Sequence, residues 1–164
     1  VLDYSRSKRA EVKCEAVQLS QLVDEILQDL KYLEHFPRIT INTQLQQPAV
    51  TTDRTRLTII LHNLIANAIK YHPVDFRDNP MITIGSKREG ETVRISVSDN
   101  GAGMPPEIRD RIFDMFFRGS QDSSGSGLGL YIAREAAEKI QASLAVESTV
   151  GQGSTFTLTL HANP

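Results

Sequence analysis

T-V-R-I-S-V-S-D-N-G-A-G-M, Thr92 to Met104, is the stretch that decides the fold. Val93, Ile95 and Val97 alternate with Arg94, Ser96 and Ser98, the period of a strand with one buried and one wet face. Thr155 to His161 repeats the pattern, setting Phe156, Leu158 and Leu160 between Thr155, Thr157 and Thr159. Met81 to Ser86 reads as a partner strand, joined to the first through a charged turn at Gly90. Leu144 to Ser148, Arg38 to Leu45 (ended by Pro48) and a short segment from Lys13 to Val17 complete the set. Strands covered by helices on both faces would read as continuous apolar runs, and these alternate instead.

The helices are one-sided as well. Leu19, Leu22, Val23, Ile26, Leu27, Leu30 and Leu33 recur at three- and four-residue spacing. Ser20 is the expected N-cap of that helix, Asp24 and Glu25 lie near its start, and Pro37 is its expected stop. Asp53 opens a second helix that runs to about Tyr71, and a third runs from about Leu128 to Gln141. Pro73 and Pro80 bracket a polar loop, Val74 to Asn79. One-sided strands with one-sided helices predict an α+β, two-layer sandwich: a mixed or mostly antiparallel sheet with about three helices on one face.

Composition narrows the class. At 164 residues the chain suits one domain with a real core, and 40% apolar with 23% charged residues is ordinary for a globular protein. A net charge of −2 without a Lys/Arg block argues against a nucleic-acid surface. Cys14 stands alone, which excludes an internal disulfide and suits a reducing, cytoplasmic setting. No apolar run reaches the about 18 residues of a membrane span. The chain starts at Val1 and reads as a fragment: residues 1–12 are expected to end a preceding helix or linker, and 13–164 to form the domain. A membrane anchor in the parent protein stays open.

Three motifs carry chemistry. In H-N-L-I-A-N-A-I-K-Y, His62 to Tyr71, helical geometry brings Asn63, Asn67 and Lys70 within about 60° of one another. Tyr71 lies on the neighbouring edge, beside the stripe of Leu57, Leu61, Leu64 and Ala68. Two amides, an ammonium and a ring on one flank suit phosphate, metal and base together, and a carboxamide oxygen is a hard ligand for Mg²⁺ beside phosphate. Alone, such an Asn pair reads first as a solvated helix face. Asp99 ends its strand and enters N-G-A-G, where a carboxylate can accept from the exocyclic amine of adenine. Gly101 and Gly103 would let backbone approach a ligand, although the motif alone is an ordinary Asp-Asn-Gly turn. G-S-G-L-G-L, Gly125 to Leu130, sets glycines before a helix whose first N–H groups can bind anionic oxygens. It is neither a Walker nor a Rossmann pattern, and alone it reads as a flexible connection. In this order the three point to one ATP pocket.

The chain resembles the catalytic and ATP-binding domain of a sensor histidine kinase, of the Bergerat-type superfamily, from about residue 13 to residue 161. His62 to Tyr71 is similar to the family's asparagine box, Asp99 to Met104 to its first glycine box, and Gly125 to Leu130 to its second. F-D-M-F-F-R, Phe113 to Arg118, resembles the phenylalanine box, and G-Q-G-S-T-F, Gly151 to Phe156, the glycine turn before the final strand. The resemblance implies that Asn67 ligands Mg²⁺ with Asn63 close to the phosphates, that Lys70 contacts phosphate, and that Tyr71 lies along the adenine. It implies that Asp99 reads the adenine amine, that Gly103 gives base and sugar room, and that Gly127, Leu128 and Gly129 cap the phosphates. Thr155 is expected at the back of the base pocket. The resemblance implies that Arg118 reaches for the γ-phosphate, the alternative being a solvated charge, and that the residues between Arg118 and Gly127 are a lid, here short and polar. Phe113, Phe116 and Phe117 read either as a satellite core or as a patch that docks on a helical dimerisation domain, and the two are compatible.

One position separates the members of that superfamily. Its ATPases (type II topoisomerases, mismatch-repair proteins, heat-shock chaperones) place a glutamate four residues before the metal-binding asparagine, as general base for water. This chain has Asn63 there, and an amide cannot take the proton. The expectation is therefore phosphoryl transfer to a histidine, with a serine kinase of the anti-sigma-factor type or a non-catalytic ATP sensor as alternatives. His35, His62, His72 and His161 lack an acceptor context, so the target histidine is expected on an upstream helical domain. A response-regulator receiver domain is the expected onward partner, and the fragment is expected to be monomeric.

Overall fold

The computed structural model describes residues 11–118 and 127–162. Strand β1 (Cys14–Gln18) runs straight into helix α1 (Leu19–Leu30), followed by β2 (Thr40–Leu45), β3 (Ala49–Asp53) and helix α2 (Arg54–Lys70). A hairpin of β4 (Met81–Glu89) and β5 (Thr92–Asp99), a short helix α3 (Pro106–Arg109), helix α4 (Gly129–Lys139), and β6 (Ser143–Thr149) paired with β7 (Gly153–His161) complete the chain. The main sheet has five strands in the order β2-β4-β5-β7-β6, with β1 and β3 forming a separate pair. Among the described residues only β2 and β4 pair in parallel; the other neighbours are antiparallel.

The period-two reading of β5 and β7 holds. Val93, Ile95 and Val97 pair with Leu160, Leu158 and Phe156 on the covered face, against Ile82 and Ile84 of β4. Helix α1 closes the core with Leu22, Val23, Ile26 and Leu30, and α2 with Leu57, Ile60, Leu61, Leu64, Ile65 and Ile69. Helix α4 contributes the small residues Ala133, Ala136 and Ala137, which let it pack directly against α2. Truncating a fully buried residue such as Leu61 to Ala would cost about 2–5 kcal/mol. The result is the expected α+β two-layer arrangement. Among the described residues no helix is long and apolar enough to cross a membrane.

Three local expectations need correction. Helix α1 starts at Leu19, one residue ahead of Ser20, without a side-chain cap and with no acid in its first turn. The Leu19 N–H is taken by the Pro48 carbonyl at 2.9 Å, a bond that carries the β1–β3 pairing one step into the helix and occupies one of its unpaired N–H groups. The same helix stops at Leu30 rather than Pro37, which opens a separate 3₁₀ turn, Phe36–Arg38. Strand β3, overlooked in the sequence, pairs antiparallel with β1 and delivers Asp53 to the start of α2. Asp53 caps α2 as expected: its carboxylate accepts the Arg56 N–H at 3.0 Å, the Arg56 guanidinium at 2.7 Å and the Lys13 N–H at 3.1 Å. Burial alone would raise the Asp53 carboxyl, but the two backbone N–H groups and the Arg56 charge hold it below its usual value.

Candidate nucleotide site

Two of the motifs meet where α4 begins. Asn63 and Asn67 are half-buried on α2, one turn apart. The Asn63 amide donates to the Ile59 carbonyl at 2.8 Å, which fixes the side chain and leaves its Oδ1 directed at Gly129. A Cβ at Gly129 would lie 3.0 Å from Asn63 Oδ1 and 3.8 Å from the Asn67 amide nitrogen. Glycine at this first helical position therefore brings the N-terminal N–H groups of α4 beside both carboxamides. Lys70 and Tyr71 end the same helix, exposed, with the Tyr71 N–H closing the last turn on the Asn67 carbonyl at 3.1 Å.

Asp99 ends β5 on the helix-covered face of the sheet. Its Oδ1 accepts the Gly101 N–H at 2.9 Å, and a Cβ at Gly101 would sit only 2.8 Å from that oxygen. Glycine is needed there so that the carboxylate can fold back over its own turn. Burial raises the Asp99 carboxyl above the usual range; N–H groups of Gly101 and Ser154 and the charges of His72 and Arg77 offset this only in part.

Two expected contributors are used differently. Gly103 has φ +71°, and a Cβ there would lie 2.1 Å from the Thr149 carbonyl oxygen, so its close approach is to the β6–β7 turn within the protein. Thr155 pairs with Ser98 on the opposite face of the sheet, hydroxyl to hydroxyl at 2.8 Å. The residue that shares a face with Asp99 is Ser154, 8% exposed and 2.8 Å from the Ser148 hydroxyl. A one-residue offset along a strand reverses the face, and the sequence offered two adjacent hydroxyls to choose between.

The phenylalanine segment closes against the second glycine segment. Phe116 has φ +62°, donates its N–H to the Gly127 carbonyl at 3.0 Å, and lies against Gly127 where a Cβ would come within 2.6 Å. Phe113 meets Phe156 edge-on with centroids 5.9 Å apart, and Phe117 lies under the Arg111 guanidinium at 4.6 Å. Phe116 is 63% exposed, so the cluster packs inward and presents one ring outward. Leu128 flanks the start of α4 and Leu130 packs on the core; Arg118 is exposed. Gly125 and the expected lid from 119 to 126 lie outside the described residues.

Residues that sequence reasoning passed over tie these parts together. His72 is 2% exposed, with Nε2 at 2.8 Å from Asn100 Oδ1. That oxygen also accepts the Met81 N–H at 2.9 Å while the Asn100 amide donates to Asn79, so His72 carries its proton on Nε2. Arg77 donates to the carbonyls of Gly101, at 2.7 Å, and of Gly151.

With that geometry in place, comparison with known proteins is decisive. Residues 52–164 match the family described as Histidine kinase-, DNA gyrase B-, and HSP90-like ATPase. The chain belongs to that family. Histidine protein kinase SaeS of Staphylococcus aureus is 39% identical over 153 residues, covering 90% of this chain and 43% of its own length, so the chain spans under half of that relative. The nucleotide-free catalytic domain of histidine kinase ThkA superposes with TM-score 0.77 at 26% identity, covering 93% of this chain and 99% of that domain. Full-length ShkA in complex with AMPPNP gives TM-score 0.75 at 27% identity, over 97% of this chain and 34% of its own. Within the family the chain is of the sensor-histidine-kinase type of ATP-binding domain.

Proposed function

We propose that this domain binds Mg²⁺-ATP and delivers the γ-phosphoryl group to a histidine on an upstream helical domain of its parent, which then supplies a response-regulator receiver domain. The observation that carries the proposal is the meeting of Asn63 and Asn67 with Gly129, an amide pair held against a helix N-terminus. The donor set fits the ligand: two carboxamides and helix N-terminal N–H groups suit phosphate with a hard cation, and no group of three or more acidic, His or Cys side chains among the described residues forms a cation site by itself. Asn67 would hold Mg²⁺, whose charge neutralises phosphate oxygens. Asn63, Lys70, Arg118, Gly125, Gly127, Leu128, Gly129 and Leu130 would line the phosphates, and Asp99, Gly101 and Tyr71 would hold the base, with Ser154 joining Asp99. Thr155 and Gly103 would support the pocket from behind.

Catalysis would rest on positioning and charge neutralisation. With an amide at position 63, already donating to Ile59, no carboxylate stands there to activate water. That favours a phosphotransferase over an ATPase. The buried imidazole of His72, committed to Asn100, supports the view that the acceptor histidine lies on another domain. Residues 1–12 would belong to the link with it, the exposed Phe116 would face it, and the domain would work on the cytoplasmic side as a monomer by itself. The deciding experiment mixes the chain with ATP and the upstream helical segment of its parent. Acid-labile phosphate on a histidine of that segment is expected. Phosphoserine on a separate protein would favour the anti-sigma-type alternative, and ATP binding with no transfer the sensor alternative.

A further inference from the structure

We propose that Arg77 is a specificity-determining residue for the base: its guanidinium ties together the two turns that flank Asp99 and so fixes the Gly101 peptide on which that carboxylate rests. The proposal rests on the ATP reading above. Arg77 comes from the segment between α2 and β4, bracketed by Pro73 and Pro80, and belongs to none of the motifs that mark the pocket.

Its two hydrogen bonds go to carbonyls far away in sequence. One, at 2.7 Å, is to Gly101, whose N–H is bound by Asp99 Oδ1 at 2.9 Å. The peptide units of Gly101 are thus gripped from both sides, by the carboxylate and by the guanidinium. The other is to Gly151, whose own N–H donates to the Ala102 carbonyl at 2.7 Å. Together with the Met104 N–H on the Ser148 hydroxyl at 2.7 Å, these bonds lock the turn after β5 to the turn between β6 and β7. Arg77 is the side chain that bonds to both.

Its charge adds to what its fork does. Both hydrogen-bond partners are neutral, and among the described residues Arg77 forms no ion pair with an acid; Asp75, two residues away, is taken by Arg38 at 2.8 Å. Among the described residues the groups that favour the Asp99 carboxylate are, largest first, the N–H groups of Gly101 and of Ser154 on β7, then His72 from beyond the end of α2, then Arg77 from this segment. Burial pushes the Asp99 carboxyl toward its neutral form and Arg77 opposes that push. Loss of Arg77 frees the Gly101 peptide that holds Asp99 Oδ1, so recognition of the 6-amino group weakens and the phosphates are left untouched. Lysine would keep the charge but not the planar fork.

The test compares ATP with purine riboside triphosphate, which lacks the 6-amino group, by calorimetry on the parent chain, Arg77→Gln and Arg77→Lys over a range of pH. The parent should prefer ATP. Arg77→Gln should weaken ATP about 2- to 12-fold, the range of one hydrogen bond's net contribution, with the purine analogue unchanged. The pH at which ATP affinity falls should move up in Arg77→Gln and return toward the parent in Arg77→Lys. Unchanged affinity for the analogue also reports a folded site. Equal losses for both nucleotides with an unmoved pH profile would reduce Arg77 to a structural brace and overturn the proposal. A parent chain that binds both nucleotides equally would overturn the adenine reading itself, a different result from a discriminating parent with an indifferent variant.

Discussion

Replacing Asp99 by asparagine should separate binding from folding, because the same carboxylate serves one and burdens the other. For binding, the Asp99→Asn variant loses a charged acceptor facing the adenine amine. A hydrogen bond to a charged group contributes about 1.5–3 kcal/mol, so ATP affinity should fall about 10- to 150-fold. For folding the sign is reversed. Burial raises the Asp99 carboxyl above its value in the unfolded chain. Below the ordinary carboxylate range Asp99 is protonated in both states; as pH rises through the window between the two values, the unfolded chain ionises first and the folded state loses relative stability. At neutral pH the parent therefore carries an unfavourable buried charge that the variant lacks, while the amide oxygen of the variant can still accept the Gly101 N–H. The variant should melt no lower than the parent at neutral pH, and any gain should vanish in acid. Calorimetric titration with ATP and thermal melts at acid and neutral pH measure both arms. ATP affinity within about twofold of the parent would refute the pocket assignment, since one such bond is worth more than that. A melting temperature lower by more than about 4 °C would refute the account of the carboxylate, because it would mean a loss of more than about 1 kcal/mol.

Asn67→Ala should weaken ATP chiefly when Mg²⁺ is present; an equal loss in excess chelator would remove the metal role. Asp53→Ala should cost about 3 kcal/mol in a denaturant melt at neutral pH, since the buried Arg56 loses its carboxylate partner. Because the folded-state value of Asp53 is depressed, the parent's advantage should be present above the ordinary carboxylate range and fade as pH falls through the depressed value. Gly153→Ala should destabilise strongly: φ is +115° and a Cβ would meet the Asp99 carbonyl oxygen at 2.0 Å, so failure to lower the melting temperature would contradict the register at the head of β7.

What the sequence made legible was whatever repeats locally. The alternation in β5 and β7 gave the covered face of the sheet, and Asp53 before an apolar stripe gave the start of α2. The illegible parts depend on partners far along the chain. Strand β3 is five residues long and is defined by its pairing with β1. Ser20 looked like a cap because nothing local announces that the Pro48 carbonyl takes the Leu19 N–H. Asn63 and Asn67 were readable as one flank, but that Gly129 lies against them follows from α4 packing on α2. Thr155 was one register step from Ser154, a distinction set by strand pairing. Arg77 looked like loop polarity because its partners lie 24 and 74 residues away.

The three-way grip of Asp53 also has a mechanical consequence. By holding the Lys13 N–H and the first turn of α2 with one carboxylate, it makes the incoming backbone and the asparagine-bearing helix neighbours in a load path. A pull on the chain ahead of Lys13 arrives at one end of a rod whose Asn67 lies about 21 Å further along. Strand β1 is also zipped to β3 along its whole length, so such a pull is shared between that ladder and the carboxylate that opens the asparagine-bearing helix. The domain is harnessed partly by the helix that carries its asparagines.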